Sequence, residues 1–269
     1  MWIDTHCHLD AAEFDADRAQ VLDRARLGGV RLLVIPAVEA RGFAQVRQLA
    51  HAHGHAYALG IHPLYVDRMQ PGDLEFLAAL ARSSLTDPRF VAIGEIGLDQ
   101  FAGAPDLALQ EPVYRAQLRL AAELGLPVIV HVRRSADRLL YHLRRQAVAG
   151  GIVHAFNGSP VQAQGFLDLG LRLGFGGAAT YDGSLRIRRL ATQLPLGSLV
   201  VETDAPDIPA QWLRHGLPGQ APGRNEPGEL PRIGAALAQL RGLPVADFAE
   251  ATALNAVEAL PRLGQLLAA

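Results

Sequence analysis

Short apolar runs rich in Val, Ile and Leu alternate along this chain with longer stretches in which apolar positions recur every three to four residues. The short runs span residues 2–5, 31–36, 56–60, 91–95, 128–131, 151–154, 172–175 and 199–203. They are the right length for strands, and their nearly unbroken hydrophobicity is that of strands covered on both faces. Amphipathic stretches lie between them, at 17–26, 43–51, 74–82, 107–124, 136–148, 160–169 and 185–194, and two more follow at 230–240 and 245–259. Strand–helix alternation of this kind predicts a parallel α/β fold. Eight strands in 269 residues predict a TIM (β/α)8 barrel, with residues 1–269 forming a single domain. A doubly wound open sheet is the alternative. The longest irregular stretch, 205–228, is rich in Pro and Gly and follows the last strand. In a barrel it lies on the active face, as a substrate-binding or lid segment.

Composition narrows the function. A hydrophobic share of 49% with 19% charged residues supports a sizeable core and excludes general disorder. A formal charge of −2 provides no global attraction for nucleic acid or membrane, so any nucleic-acid contact needs a local basic patch. No apolar run approaches a membrane span of about 18 residues, and no signal peptide is visible at the N-terminus. A soluble, cytoplasmic monomer with no obligate protein partner is expected. The single cysteine, Cys7, excludes an internal disulfide and fits a reducing compartment. Strand alternation turns it away from His6 and His8, as a buried thiol. All 25 basic residues are arginine.

Six metal-ligand side chains stand at the ends of the apolar runs. They are His6 and His8 in WIDTHCHLD, Glu95 in AIGEIGLD, His131 in VIVHVR, His154 in IVHAFNG and Asp204 in VVETDAP. Two residues apart on a strand, His6 and His8 project to one face. A carboxylate closing the apolar run VAIG must be paired, protonated or metal-bound. Each residue alone has a plain structural reading: an ion pair for Glu95, a core histidine for His131 or His154, a turn or N-cap for Asp204. Together, six such groups at strand ends point to metal. Ligands on the first and last strands meet only if the sheet closes. Four imidazoles and two carboxylates suit Zn²⁺, Mn²⁺, Fe²⁺ or Co²⁺, and Mg²⁺ with waters completing the shell. One catalytic cation uses about three protein ligands, so six imply two divalent cations per chain with Glu95 bridging them. A carboxylated lysine, the other bridge of this kind, is excluded because the chain has no lysine.

The segments DTHCHLD, GIHP, GEIGLD, LPVIVHVR, HAFNGS, ETDAP and RNEP resemble, in order, the motifs of the TatD family of metal-dependent hydrolases, from Asp4 to about Asn255. The resemblance implies a TIM barrel, a dinuclear or metal-variable site, and DNase activity that is often exonucleolytic from the 3′ end. It also implies His6, His8, Glu95, His131, His154 and Asp204 as the ligands. Three departures stand out. Leu64 replaces a further histidine after GIHP, Gln100 replaces the aromatic after GLD with Phe101 next, and NAVEAL replaces the C-terminal N-x-x-x-L-F motif.

The expected reaction is phosphodiester hydrolysis, on DNA or a small phosphodiester. The cations lower the pKa of a water and offset charge on the phosphoryl oxygens. Glu95 and Asp204 are the expected catalytic carboxylates, Asp204 also orienting and deprotonating the water. Glu202 either supports a ligand or forms a salt bridge. His62 and Arg133 are expected to contact the substrate phosphate, with Arg224 and Asn225 as weaker candidates. His51, His53 and His55 read as surface residues on the opposite rim. The alternative activity is that of an amidohydrolase or aminoacyl-ester hydrolase using the same site.

Overall fold

The computed structural model describes residues 1–214 and 223–268; of the expected lid segment, residues 215–222 lie outside the described part. Eight parallel strands hydrogen-bond in sequence order: β1 (Trp2–Asp4), β2 (Val30–Pro36), β3 (Ala56–Leu59), β4 (Phe90–Asp99), β5 (Val128–Arg133), β6 (Gly151–Val153), β7 (Leu171–Phe175) and β8 (Leu199–Val201). The seven connections carry α1 (Arg18–Leu27), α2 (Phe43–His53), α3 (Asp73–Ser83), α4 (Leu107–Leu124), α5 (Ala136–Leu143), α6 (Pro160–Leu167) and α7 (Leu185–Gln193). After β8 come α8 (Gln211–Arg214), α9 (Leu230–Arg241), α10 (Val245–Ala259) and α11 (Leu263–Ala268). Among the described residues no helix is long and apolar enough to cross a membrane.

The sheet closes just beyond β1 and β8. Cys7 and Ala205 form a parallel bridge, and the Asp204 N–H donates to the His6 carbonyl at 2.8 Å. Asp4, fully buried, clasps this seam by accepting from the Thr203 N–H at 2.9 Å and the Thr203 hydroxyl at 2.6 Å. The TIM barrel is therefore the fold, and the open sheet is excluded.

Inside the barrel, Ile3, Val34, Ala58, Ile129 and Val200 pack against Ala256, Leu260 and Leu263 of the C-terminal helices. Asn255 donates to the carbonyls of Leu196 and Leu199, both at 2.8 Å, and Arg262 donates to that of Phe90 at 2.9 Å. These carbonyls lie at strand N-termini, so α10 and α11 cover that end of the barrel. The opposite end is left for chemistry. Leu260 is fully buried there, and truncation to Ala at such a site costs about 2–5 kcal/mol.

Two of the expected elements depart from their predicted bounds by four residues or more. Strand β4 runs to Asp99 rather than stopping at Glu95, because Ile96–Asp99 continue to pair with Val130–Arg133. Gly97 permits this: at φ +152° its backbone lies where a Cβ would run into the His131 carbonyl. Helix α5 stops at Leu143 rather than at 148, since the apolar period gives way there to the polar run Arg144-Arg145-Gln146.

Candidate metal centre

Just beyond β1, His6 and His8 face the same point with their Nε2 atoms 3.2 Å apart. Asp204 Oδ1 lies 3.5 Å from His6 Nε2 and 3.6 Å from His8 Nε2. From β4, Glu95 Oε2 approaches His6 at 3.1 Å and His8 at 3.5 Å. The other oxygen, Oε1, faces a different set: His154 Nε2 at 2.8 Å, His131 Nδ1 at 3.0 Å and His62 Nε2 at 3.1 Å. The six expected ligands thus converge, and the two oxygens of Glu95 divide the other donors into two groups.

These separations fit a cation. Two ligand atoms, each about 2.1 Å from a tetrahedral metal ion, stand about 3.4 Å from one another. Three groups of donors lie within 4.8 Å of one another: His6–Glu95–His154, His6–His8–Asp204 and His62–Glu95–His131.

The electrostatics point the same way for Glu95, His6 and His154, whereas a binding cation would displace the proton favoured on Asp204 and on His131. Burial, then the nearby Glu95 and Glu202, push the Asp204 carboxyl well above its ordinary range. Burial also opposes ionisation of Glu95, but the surrounding imidazoles hold its carboxyl well below the usual value. Burial drives His6 well down and His154 down. His131 is the exception: burial works against its protonation, yet contacts with Asp99 and Glu95 lift it to about 9. Neutral imidazoles and ionised carboxylates are the forms that ligate metal, and a divalent cation would relieve the crowding of carboxylates around Asp204.

His62 belongs to a donor group by distance but not by tautomer. Its Nδ1 accepts the Leu64 N–H at 3.1 Å. In the neutral ring the proton therefore sits on Nε2, the atom facing Glu95, and a protonated nitrogen donates rather than ligates. Burial, outweighing Glu95, takes His62 down to about 4, so the neutral form prevails near neutrality.

Other residues hold the ligands in place. Asp99 Oδ2 lies 3.0 Å from His131 Nε2, which leaves His131 Nδ1 turned toward Glu95. Asp99 does not figure among the expected site residues, although its spacing of four from Glu95 on one strand is a legible signal. Glu202 is buried and takes the Ala155 N–H at 2.5 Å, fixing the left-handed residue (φ +46°) that follows His154. It makes no salt bridge among the described residues; burial and the neighbouring carboxylates Asp4 and Glu95 raise it to about 8. Cys7 is buried, as expected.

A cleft of about 1680 Å³ opens above the donors, lined among others by His62, Tyr65, Phe101, Arg133, Arg134 and Arg186. Arg133 thus stands on the cleft wall, stacked 3.6 Å above the Phe101 ring centroid.

Arg224 and Asn225 are not among the residues lining the cleft, contrary to their expected role on substrate. Arg224 pairs bidentately with Asp17 at 2.9 and 2.7 Å, pinning the last loop to the start of α1. Asn225 is buried and donates to the carbonyls of Thr203 at 2.8 Å and Asp207 at 2.5 Å. These bonds bracket Asp204, whose left-handed φ of +53° costs an L-residue about 1–3 kcal/mol. Both residues hold the loop that presents Asp204. His51 and His53 are exposed, with His51 on Asp87 at 2.7 Å, and His55 is half-buried.

Known proteins share this architecture. The sequence model of the TatD-related DNase family matches residues 3–261. An uncharacterized metal-dependent hydrolase of Escherichia coli, YjjV, is 41% identical over 257 residues, covering 94% of this chain and 95% of its own. Its TatD-homologue crystal structure superimposes with a TM-score of 0.88, at 38% identity, over 97% of this chain and 98% of that one. The 3′-5′ ssDNA/RNA exonuclease TatD of Klebsiella pneumoniae is 35% identical over 243 residues, covering 89% of this chain and 90% of its own. With this barrel, this donor set and a family match over nearly its whole length, the chain belongs to the TatD-related DNase family of metal-dependent hydrolases.

Proposed function

We propose that this protein is a phosphodiesterase that removes nucleotides from the 3′ end of single-stranded DNA or RNA, with residues 1–269 acting as one catalytic domain and two divalent cations at the centre. The observation that carries the reading is the division of donors by Glu95: Oε2 faces His6, His8 and Asp204, while Oε1 faces His131 and His154. That is the arrangement a bridging carboxylate needs. The cations, Zn²⁺, Mn²⁺, Mg²⁺, Fe²⁺ or Co²⁺, would lower the pKa of water and offset charge on the phosphoryl oxygens.

The chain's own groups do the rest. Asp204, in the loop held by Asn225, would be ionised with cations bound and then accepts the proton of the attacking water. His62 carries its Nε2–H beside Glu95 on the wall of the cleft, and shares it with a phosphoryl oxygen of the bound substrate. Arg133, on the cleft wall, pairs with a phosphate. A relative named as a 3′-5′ ssDNA/RNA exonuclease supports the polymer and its polarity.

The test is a matrix of metals against substrates on chelated and reconstituted protein. The substrates are 3′- and 5′-labelled single strands, duplexes, simple phosphodiesters, amides and aminoacyl esters, with Glu95→Gln as control. Metal-dependent shortening from the 3′ end, abolished in the control, is expected. Cleavage of amides or aminoacyl esters with every oligonucleotide left intact would replace this reading by the second hydrolase class. An active Glu95→Gln enzyme would remove the bridge.

A further inference from the structure

Two consecutive arginines lie over one aromatic ring at the edge of the cleft. Phe101 is 40% exposed there, an unusual setting for a ring that could have packed inside. The guanidinium carbon of Arg133 stands 3.6 Å from its centroid and that of Arg134 stands 5.0 Å from it. Neighbouring residues of a strand normally point to opposite faces. Arg134 lies just past the end of β5 with a left-handed backbone, φ +57°, and both side chains reach the same ring. Neither guanidinium forms an ion pair among the described residues, whereas Arg138 and Arg41, on the same cleft, are paired with Glu111 and Glu39.

The ring is also tied to the metal centre. The Phe101 N–H donates to Asp99 Oδ1 at 2.7 Å, while the other oxygen of Asp99 holds His131. The Gln100 N–H donates to the Arg133 carbonyl at 2.9 Å, fixing the ring beside the end of β5. A layer of ring and guanidinium groups, positively charged and exposed on the wall of the cleft above the donors, has the chemistry of a nucleobase stacking surface. Bases stack on aromatic rings and on guanidinium planes alike, with little sequence preference. Arginines free of carboxylates remain available for the adjoining phosphates.

We infer that Phe101, Arg133 and Arg134 form a platform on which a base at the 3′ end of a single strand stacks, setting the register of the phosphate to be cleaved. This rests on the nuclease reading above and adds the specificity element to it. The experiment compares wild type, Phe101→Leu, Phe101→Trp and Arg133→Ala, all metal-loaded. The substrates are oligonucleotides that are intact or carry an abasic tetrahydrofuran residue at the last or the penultimate position. Wild type should lose roughly tenfold or more in kcat/KM when the stacked base is missing. Phe101→Leu should lose a similar factor on the intact strand and nothing further on the abasic one, and Phe101→Trp should restore the difference. Arg133→Ala should raise KM and flatten the salt dependence.

A second readout needs no turnover. Quenching of 2-aminopurine placed at the 3′ end, on metal-stripped protein, should appear with wild type and Phe101→Trp and vanish with Phe101→Leu. A Phe101→Leu enzyme that keeps the full abasic penalty overturns the platform and leaves the nuclease reading standing. Wild type that cleaves no oligonucleotide overturns both. If Phe101→Leu does not fold, absence of quenching in wild type overturns the platform by itself.

Discussion

Replacing Asp99 by Asn changes almost no volume and should nevertheless cost the protein a cation. The Asp99 carboxylate accepts twice: from the Phe101 N–H at 2.7 Å and, 3.0 Å away, from His131 Nε2. In its neutral, metal-binding form His131 keeps its proton on Nε2 and turns a lone pair on Nδ1 toward the point shared with Glu95 Oε1 and His154 Nε2, at 3.0 and 3.2 Å. An Asn side chain must use its one carbonyl for the Phe101 N–H, leaving its NH2 group against His131 Nε2. That nitrogen must then accept, and the proton moves to Nδ1, the atom needed as ligand. Losing an orienting partner of a metal-bound histidine typically weakens metal binding about 10–100-fold, or about 1.4–2.7 kcal/mol at 1.36 kcal/mol per tenfold. Asp99→Ala loses the orientation without imposing the wrong tautomer, so Asn should be at least as damaging as Ala. Chelator-competition titrations of metal-free protein, counting sites and affinities in both variants, would check this. Wild-type affinity for two cations in Asp99→Asn, or an Asn variant that binds better than Ala, would refute the tautomer argument.

Three further outcomes are expected. His62→Gln should retain its full metal content but lose about 10²–10³ in kcat, the usual cost of deleting one donor aimed at developing charge; loss of a cation, read by elemental analysis, would make His62 a ligand instead. Asn225→Ala leaves the buried Thr203 carbonyl and the part-buried Asp207 carbonyl without their donor, at about 1–3 kcal/mol for the buried one. Thermal unfolding should then fall by about 2–6 °C, and an unchanged melting temperature would sink the role given to Asn225. His55 is pushed down to about 4 by burial, with His53 and Arg89 adding to it. Below pH 6.5 its unfolded form binds a proton that the folded form refuses, so stability is unaffected above that pH and falls between pH 6.5 and 4. The slope attributable to this one group is at most about 1.4 kcal/mol per pH unit. Urea unfolding of metal-free wild type and His55→Asn should therefore converge as the pH drops toward 4, and parallel curves would contradict the assignment.

The barrel was legible because each strand is buried on both faces and leaves an unbroken apolar run, and because polar ligands are the conspicuous exceptions within those runs. The carboxylate and imidazole donors needed only strand order and closure to meet. Asp99 is not marked by the apolar run of β4, which ends at Glu95. The strand's continuation depends on Gly97 slipping past the His131 carbonyl, a contact between strands that no local pattern announces. Arg224 and Asn225 misled for a related reason. Their partners Asp17 and Thr203 lie 207 and 22 positions away, so a cation and an amide in an active-face loop could not be told apart from substrate contacts. What distinguishes them is burial and pairing, which only the folded chain defines.

The extension of β4 has a mechanistic consequence. At intervals of two residues, β4 and the turn that follows it carry the shared carboxylate Glu95, the glycine that admits β5, the carboxylate Asp99 that orients His131, and the exposed ring of Phe101. Cation position and substrate register are therefore mechanically linked: a shift of β4 against β5 moves Glu95 relative to His131 and moves Phe101 relative to Arg133 at once. Gly97→Ala tests that linkage, since its Cβ would meet the backbone at the His131 carbonyl rather than a side chain that could swing away. A folded Gly97→Ala variant should lose cation affinity and the abasic discrimination together. Loss of one with full retention of the other would show that the two functions are set by separate contacts rather than by the register of this strand.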